Sequence, residues 1–294
     1  MKKVTLSVGI SAYNEEANIE HILHMLLSQK EESYLLKEII IALDGCGDKT
    51  KEKILQVNDK RIRMIVGTER KGKAYRLNQI LASFTCDALV VVDADVVISD
   101  QKLLSRLVGS SNLSKDGLVS INVTPLPAKT FFEHCIQVGV FIVKDIAKRW
   151  NHGKNYLSFR GCLLAVDKEF ARKLRMPLQL VNDDTYFYFS SLAAGYTPRY
   201  ISDCFVYYKS PTTFKDHLNQ SSRYRNSREE MESYFSLDFN ALYSIPLFPR
   251  IFAAVKYCLL MPWYFIPYCG VLLVTMLNRD KKITGLWNIA TSTK

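Results

Sequence analysis

The 294-residue sequence lacks several features that would place the protein in a specialised class. It has no C-x-x-C motif, and its seven cysteines are odd in number and widely spaced, which is typical of reduced, packed thiols in a cytosolic environment. Its five histidines form no spaced metal cluster, and no repeat or low-complexity segment interrupts the chain. The first apolar stretch runs directly into Glu15 and Glu16, which favours a first strand over a signal peptide.

Basic residues outnumber acidic ones, 39 Lys and Arg against 29 Asp and Glu, which gives a net charge of +10. Such a charge favours a polyanionic partner: nucleic acid, an acidic membrane surface or a phosphorylated substrate. We expect no nucleic acid, because the chain contains no recognisable reader motif. A hydrophobic content of 48% and a charged content of 23% are those of a globular chain with a sizeable core.

Strand and helix patterns alternate through residue 123, which predicts a mainly parallel, three-layer α/β domain. Strands are expected at 4–11, 37–43, 64–66, 88–92 and 118–123. After residue 127 the pattern changes to amphipathic helices, with expected helices at 130–150, from 182 to about 195, and at 214–235, and a strand at 159–166. We therefore divide the chain into residues 1–235, with halves 1–123 and 124–235, and an apolar helical region at 236–294.

The strand at 88–92 is an unbroken apolar run that ends in Asp93 and Asp95. Its β-branched composition predicts a strand buried on both faces, and ligands of open α/β sheets bind at the carboxyl ends of strands. Two carboxylates there can bind one divalent cation through oxygen ligands. The alternative is a turn pair at the end of a strand, a position that Asp favours.

Other short motifs are ambiguous when taken singly. Asn14 is a candidate N-cap for the first helix, and the loop that starts at Asp44-Gly45 leaves side chains available for binding. Asp183-Asp184 at a helix start is typical of a cap. Arg223 and its basic neighbours are compatible with a solvated helix face.

In their order, however, these motifs resemble those of family 2 glycosyltransferases of the GT-A fold, over residues 4–235. The motifs are Ala12-Tyr13-Asn14-Glu15, Asp44-Gly45, Gly72-Lys73, Asp93-Ala94-Asp95, Asp183-Asp184 and Gln220-Ser221-Ser222-Arg223-Tyr224. The resemblance is to the branch that includes cellulose, chitin and hyaluronan synthases. It implies a Rossmann-like, nucleotide-sugar-binding domain.

The resemblance also implies a role for each motif. Residues that would bind the nucleotide-sugar are Tyr13, Glu15, Asp44, Lys73 and Asp93; Asp95, together with Asp93, would bind Mg²⁺ or Mn²⁺ on the diphosphate. Asp184 matches the general base, and residues on the acceptor and diphosphate side are Gly161, Asp183, Gln220, Arg223 and Tyr224. The chain departs from the family pattern in having Leu43-Asp44-Gly45-Cys46 for Asp-Asp-Gly-Ser, Tyr224 for Trp, and Asp183 for the commoner Glu.

Sugar transfer from a nucleotide needs groups of these types. The departing diphosphate develops negative charge, which a cation, Lys73 and Arg223 would stabilise. The attacking hydroxyl loses a proton, which Asp184 would accept, and we expect Asp183 to raise the pKa of that carboxyl. A general base with no nucleophilic side chain beside it predicts direct displacement, which inverts the configuration at C1 of the sugar.

The segment 258–277 contains twenty residues without a charge, enough to cross a ~30 Å hydrocarbon layer as a helix. Pro262, Pro267 and Gly270 are expected to bend it, and basic residues flank both ends. These features favour a re-entrant or interfacial hairpin at the cytoplasmic face of the cell membrane. The alternative is a buried hairpin that covers the acceptor side.

The sequence thus predicts a metal-dependent, inverting glycosyltransferase that uses a UDP-sugar or a similar donor. The expected acceptor is a lipid-linked glycan or polysaccharide precursor that receives one or a few sugars, since the several spans of the large processive synthases are not seen after Tyr224. A polyprenyl-phosphate glycosyltransferase and a catalytically silent, nucleotide-sugar-binding assembly subunit are the alternatives.

Overall fold

The computed structural model describes residues 3–277. The strands are β1 (Val4–Ala12), β2 (Tyr34–Asp44), β3 (Ile62–Gly67), β4 (Ala88–Val92), β5 (Leu118–Pro125), β6 (Leu163–Asp167) and β7 (Arg199–Tyr208). The helices are α1 (Ile19–Leu27), α2 (Thr50–Val57), α3 (Lys73–Ser83), α4 (Leu103–Gly109), α5 (Leu113–Asp116), α6 (Phe131–Arg149), α7 (Lys168–Lys173), α8 (Asp183–Ala193), α9 (Phe214–Arg223), α10 (Ser227–Tyr234), α11 (Phe239–Tyr243), α12 (Leu247–Leu260) and α13 (Pro262–Leu277). The strands form one sheet in the order β3-β2-β1-β4-β6-β5-β7.

The sheet is mixed because β6 runs antiparallel to both of its neighbours. Strands β1 to β4 pair in parallel, as the alternation in the sequence predicts, and β5 pairs in parallel with β7. Val92, at the end of β4, faces Leu163, at the start of β6. The reversal of β6 therefore brings the loop before Leu163 to the carboxyl end of β4.

Strand β4 is buried on both faces, as expected from its composition. Val90 and Val92 belong to one apolar cluster, and Leu89 and Val91 belong to a second cluster on the other face of the sheet. A strand packed on both sides fixes the position of the residues that follow it. Asp93 and Asp95 therefore start from a rigid support.

The first helix begins later than the sequence predicts. Its N-cap is Asn18, and Asn14 instead adopts a left-handed conformation with φ of 53°. The Asn14 side chain accepts a hydrogen bond from the Gly47 amide at 2.9 Å. Asn tolerates this conformation, so the prediction of Asn14 as the helix cap is wrong, and Glu15 lies in the connecting loop.

Four other features of the secondary structure differ from those expected. Helix α2 and strand β7 were not predicted, and β6 starts at Leu163 in place of Phe159. The expected single helix at 214–235 is two helices, separated by Tyr224, Arg225 and Asn226. In contrast, α6 agrees closely with the prediction, and Thr130 and Glu133 form a capping box at its start.

The apolar C-terminal segment forms two helices, α12 and α13, that pack on α6. The chain breaks its helix at Met261, directly before Pro262, as expected for a proline at a helix start, and α13 continues through Pro267. Gly139 of α6 allows close packing, because a Cβ atom there would lie 2.5 Å from the ring of Tyr268.

Polar contacts also fasten this hairpin to α6. Lys256 pairs with Asp145 at 2.6 Å, and the Arg149 guanidinium lies 3.7 Å from the centroid of the Phe252 ring. No helix within residues 3–277 is both long enough and apolar enough to cross a membrane. The basic flank expected at Arg279, Lys281 and Lys282 lies outside the described residues.

Candidate functional site

The two aspartates that follow β4 lie at the centre of the sheet edge. The Asp93 amide donates a hydrogen bond to the Cys162 carbonyl at 3.1 Å, and the Val96 amide donates to the Asp93 carbonyl at 3.4 Å. The chain thus turns directly after the strand, and both carboxyl groups are partly buried. Burial, followed by the neighbouring charges of Asp93 and Glu15, raises the pKa of Asp95 to about 6. Glu15, Asp93 and Asp95 therefore form one patch of negative charge.

Lys73 joins this patch to the second acidic pair. Its ammonium lies 2.8 Å from Asp93 Oδ1 and 2.8 Å from Asp183 Oδ2. Burial disfavours the charge on Lys73, but Asp183 and Asp93 outweigh that effect and hold its pKa well above the usual value. A single cation thus bridges carboxylates that are 90 residues apart in the sequence.

The position of Lys73 depends on Asp44. One Asp44 oxygen accepts hydrogen bonds from the Lys71 amide at 2.7 Å and from Arg76 Nε at 2.8 Å, and the other accepts from the Gly72 amide at 2.9 Å. Gly72 caps α3 with φ of 92°, a conformation that favours glycine. Asp44 is only 5% exposed and holds the start of the helix that carries Lys73. Its expected role toward the nucleotide stays a prediction.

Asp183 and Asp184 begin α8. Asp184 is 8% exposed, and one of its oxygens accepts a hydrogen bond from the Thr185 amide at 2.7 Å. Burial, and then the charge of Asp183, raise the pKa of Asp184. A Cβ atom on Gly161 would lie 3.3 Å from Asp184 Cβ and 3.5 Å from Asp183 Oδ2, so the glycine lets the loop before β6 approach both acids.

Asn182 fixes the start of α8 through a partner that no sequence pattern indicates. Glu230 of α10 accepts hydrogen bonds from the Val181 amide at 2.7 Å, the Asn182 amide at 3.1 Å and the Asn182 side chain at 2.7 Å. The Asn182 side chain also donates to the Arg223 carbonyl at 3.0 Å. The helix that carries the acidic pair is therefore tied to both helices that follow β7.

The Gln220-x-x-Arg223-Tyr224 segment lies at the end of α9, beside the acidic pair. Gln220 and Arg223 are partly buried, and the Tyr224 ring is 48% exposed. The charge of Asp184 raises the pKa of Tyr224. The structure thus brings this motif to the same edge as Asp93 and Lys73.

Two basic residues at this edge were not predicted from the sequence. Arg160 precedes Gly161, and its guanidinium lies 5.5 Å from the centroid of the Tyr208 ring. Lys144 of α6 donates a hydrogen bond to Thr124 Oγ1 at 2.6 Å. Burial, followed by the charge of Arg160, lowers the pKa of Lys144 to about 8. Neither residue belongs to a motif, so only the tertiary fold could identify them.

Tyr13 lies on the first loop, between β1 and α1. The Arg70 guanidinium lies 4.1 Å from the centroid of its ring, a cation–π contact. The Glu15 amide donates to Thr50 Oγ1 at 2.7 Å, which fixes the loop between β1 and α1. These two candidate donor-binding residues thus contact the loop before α3 and the first residue of α2.

Within residues 3–277, no three His, Cys, Asp or Glu side chains are grouped to hold a metal ion. The pair Asp93 and Asp95 nevertheless fits Mg²⁺ or Mn²⁺, which bind through one or two carboxylates and take their other ligands from phosphate and water. Burial, and then the like charges of Asp93 and Glu15, raise the pKa of Asp95, and a divalent cation bound there would stabilise the ionised carboxyl.

Two family models match the chain. The model described as glycosyl transferase family 2 matches residues 7–162, and the model described as glycosyl transferase family group 2 matches residues 88–279. The first match contains the motifs from Tyr13 to Gly161, and the second contains Asp183-Asp184 and the Gln220 motif.

Curated relatives match only over parts of their length. Poly-beta-1,6-N-acetyl-D-glucosamine synthase of Staphylococcus aureus is 36% identical over 90 residues, which is 30% of this chain and 21% of that protein. Glycosyltransferase AglD of Haloferax volcanii is 34% identical over 110 residues, which is 36% of this chain and 17% of that protein. The matched segments thus span about a fifth of these larger proteins.

Solved structures resemble the chain over more of its length. The mannosyltransferase PcManGT of Pyrobaculum calidifontis, in complex with GDP-Man and Mn²⁺, has a TM-score of 0.64 and 18% identity, and the match covers 96% of this chain and 77% of that one. Glucosyl-3-phosphoglycerate synthase of Mycobacterium tuberculosis has a TM-score of 0.56 and 16% identity, with coverage of 78% and 80%. At these identities the likeness shows the fold, in agreement with the GT-A-like fold expected from the sequence.

Proposed function

The chain belongs to glycosyl transferase family 2, and on that premise we propose that it is a metal-dependent, inverting enzyme that transfers a sugar from a nucleotide-diphospho-sugar. The observation that carries the proposal is the double ion pair of Lys73 with Asp93 and Asp183. It joins the candidate donor site at the end of β4 to the candidate base at the start of α8.

On the donor side, Asp95 and Asp93 would hold Mg²⁺ or Mn²⁺. When bound, such an ion neutralises the negative charge that develops on the departing diphosphate. Lys73 lies against Asp93 and adds positive charge at the same place. Tyr13 and Glu15 lie on the loop that follows β1, and Asp44 is the last residue of β2. We assign these three residues to the base and ribose of a donor such as a UDP-sugar.

On the acceptor side, Asp184 takes the proton of the attacking hydroxyl. The hydroxyl oxygen bonds to C1 of the sugar as the bond from C1 to the diphosphate oxygen breaks, and the nucleoside diphosphate leaves. The burial and raised pKa of Asp184 support this role, because a base works best when its pKa approaches the working pH. Attack from the face opposite the diphosphate, with no covalent intermediate on the protein, inverts the configuration at C1. Gln220, Arg223 and Tyr224 line the acceptor and leaving-group side.

We assign the acceptor to the glycans or lipid-linked glycan precursors, and the working place of the protein to the cytoplasmic face of the cell membrane. The outward surface of α12 and α13 supports this assignment: Leu259 is 76% exposed, Trp263 is 83% exposed and Ile266 is 68% exposed. An apolar surface of this kind suits insertion into the interface of a bilayer. The similarity to a polysaccharide synthase over 90 residues is in keeping with a glycan acceptor.

A screen of nucleotide-sugars, each with and without Mn²⁺, tests the proposal through donor hydrolysis and transfer. We expect at least one donor to be consumed only with the metal present. Asp184→Asn should abolish transfer and preserve donor binding, whereas Asp95→Asn should weaken metal-dependent donor binding. Failure of every donor to bind or react would contradict the enzymatic assignment.

A further inference from the structure

Two cations lie on the acceptor side of the site without a role in the mechanism described above. Arg160 belongs to the loop before β6, and Lys144 belongs to the middle of α6. Each side chain is partly buried. Lys144 donates a hydrogen bond to Thr124, which pairs with Tyr207, and the Arg160 guanidinium lies beside the ring of the next residue, Tyr208. In keeping with this placement, burial, followed by the charge of Arg160, lowers the pKa of Lys144.

No carboxylate in residues 3–277 forms an ion pair with either cation. Asp145, the neighbour of Lys144 in sequence, pairs with Lys256 at 2.6 Å. Lys144 itself is hydrogen-bonded only to a neutral hydroxyl, that of Thr124. Arg160 and Lys144 therefore carry positive charge that no ion pair neutralises, although the nearby Asp184 also acts on the charge of Arg160, and such a region favours an anion.

This positive region lies directly beside the candidate base. Arg160 is followed by Gly161, at which a Cβ atom would lie 3.3 Å from Asp184 Cβ. The aromatic ring of Tyr208 lies beside the guanidinium. An anion bound by Arg160 and Lys144 would therefore be held next to the hydroxyl that Asp184 deprotonates.

We propose that Arg160 and Lys144 bind a phosphate group carried by the acceptor, close to its reacting hydroxyl. The guanidinium can donate two parallel hydrogen bonds to phosphate oxygens, and the ammonium adds a second charge, so the pair matches a dianion. The inference rests on the proposed function, because it describes the acceptor of that same reaction. On this assignment, Lys73 binds the donor, and Arg160 and Lys144 bind the acceptor.

Calorimetric titration with glycerol 3-phosphate, with glycerol as the uncharged comparison, tests this assignment in the full chain. The titration is made with and without saturating UDP and Mn²⁺, which occupy the diphosphate site. We expect the phosphate ester to bind in both conditions and glycerol to show no binding. Arg160→Gln and Lys144→Gln should each weaken binding about tenfold or more, the effect of losing a hydrogen bond to a charged group.

Lys148→Gln is the matched control, because Lys148 lies one turn after Lys144 on α6 and is exposed. It should leave phosphate binding unchanged. The thermal midpoint of every variant is measured, and Lys144→Gln tests the proposal independently if Arg160→Gln does not fold. Equal affinity in the wild type and both variants, or an equal loss in Lys148→Gln, would overturn the proposal. Donor hydrolysis is measured separately, so failure of UDP-sugar turnover with intact phosphate binding would contradict only the enzymatic assignment.

Sedimentation with vesicles distinguishes a lipid from a soluble acceptor. Phosphatidylcholine vesicles with and without phosphatidic acid present the same phosphate monoester on a membrane. Binding that requires phosphatidic acid, Arg160 and Lys144 supports a lipid-linked phosphate. Binding of glycerol 3-phosphate alone supports a soluble one, and no dependence on either residue in both experiments contradicts the proposed subsite.

Discussion

Replacement of Lys73 by methionine tests the central ion-pair network of the site. Methionine keeps much of the length and apolar contact of the lysine stem but removes the charge that lies 2.8 Å from both Asp93 and Asp183. The carboxylates of these residues would then repel each other and the adjacent Asp95 and Asp184. We therefore expect Lys73→Met to destabilise the fold as well as abolish transfer.

The size of the effect follows from the exposure of the three side chains. Removing one partner of a fully buried ion pair costs about 3–5 kcal/mol, whereas an exposed pair contributes about 1 kcal/mol or less. Lys73, Asp93 and Asp183 are 22%, 27% and 19% exposed, between these limits. We expect a loss of about 2 kcal/mol in the free energy of unfolding, which lowers the urea midpoint by about 1 M at a slope of ~2 kcal/mol/M.

Urea denaturation at neutral pH, followed by tryptophan fluorescence, measures this loss. Lys71→Met is the matched control, because Lys71 lies two residues earlier and its pair with Glu69, at 3.7 Å, is largely exposed. The control should shift the midpoint by less than about a quarter of that amount. Equal midpoints for the Lys73 variant and the wild type would refute the view that Lys73 holds the two acidic motifs together.

Three further perturbations address the base, its support and the hairpin. Asp183→Asn removes a charge that raises the pKa of Asp184, so the acid limb of the pH–rate profile should move to lower pH. The shift should be partial because burial is the larger cause of the raised pKa, and an unmoved limb would contradict the coupling. Glu230→Gln removes a carboxylate oxygen that accepts from the amides before α8, so it should lower turnover about tenfold and the free energy of unfolding by about 1–2 kcal/mol. The control is Glu229→Gln, at an exposed position, which should change neither quantity. Leu259→Glu should reduce sedimentation with lipid vesicles without changing donor hydrolysis, and unchanged sedimentation would count against a membrane role of the hairpin.

The sequence predicts several elements of the fold well because their signals are local. The apolar run before Asp93 requires a strand buried on both faces, and Thr130 with Glu133 specifies where α6 begins. Gly72 and Lys73 adjoin in the sequence, so their place at the start of α3 follows from the helix pattern. Local chemistry alone decides each of these features.

The remaining features depend on contacts between distant segments. Asn14 has the chemistry of a helix cap, but its side chain accepts from Gly47, so the loop between β2 and α2 decides its conformation. The composition of β6 does not indicate that the strand is antiparallel to its neighbours. This direction nevertheless brings Arg160 and Gly161 to the acidic site. Residues whose role arises only from strand order could not be predicted from spacing.

The same contacts explain why short motifs can define this site when they keep their order. Asp44 fixes the start of α3, α3 presents Lys73, and Lys73 holds Asp93 and Asp183 together. Each motif constrains the next through a hydrogen bond or an ion pair, although the motifs are far apart in the sequence. Loss of one member therefore displaces the base as well as the donor site. For this reason, substitution of Asp44 should affect catalysis through the position of Lys73, whether or not its carboxylate also contacts a nucleotide.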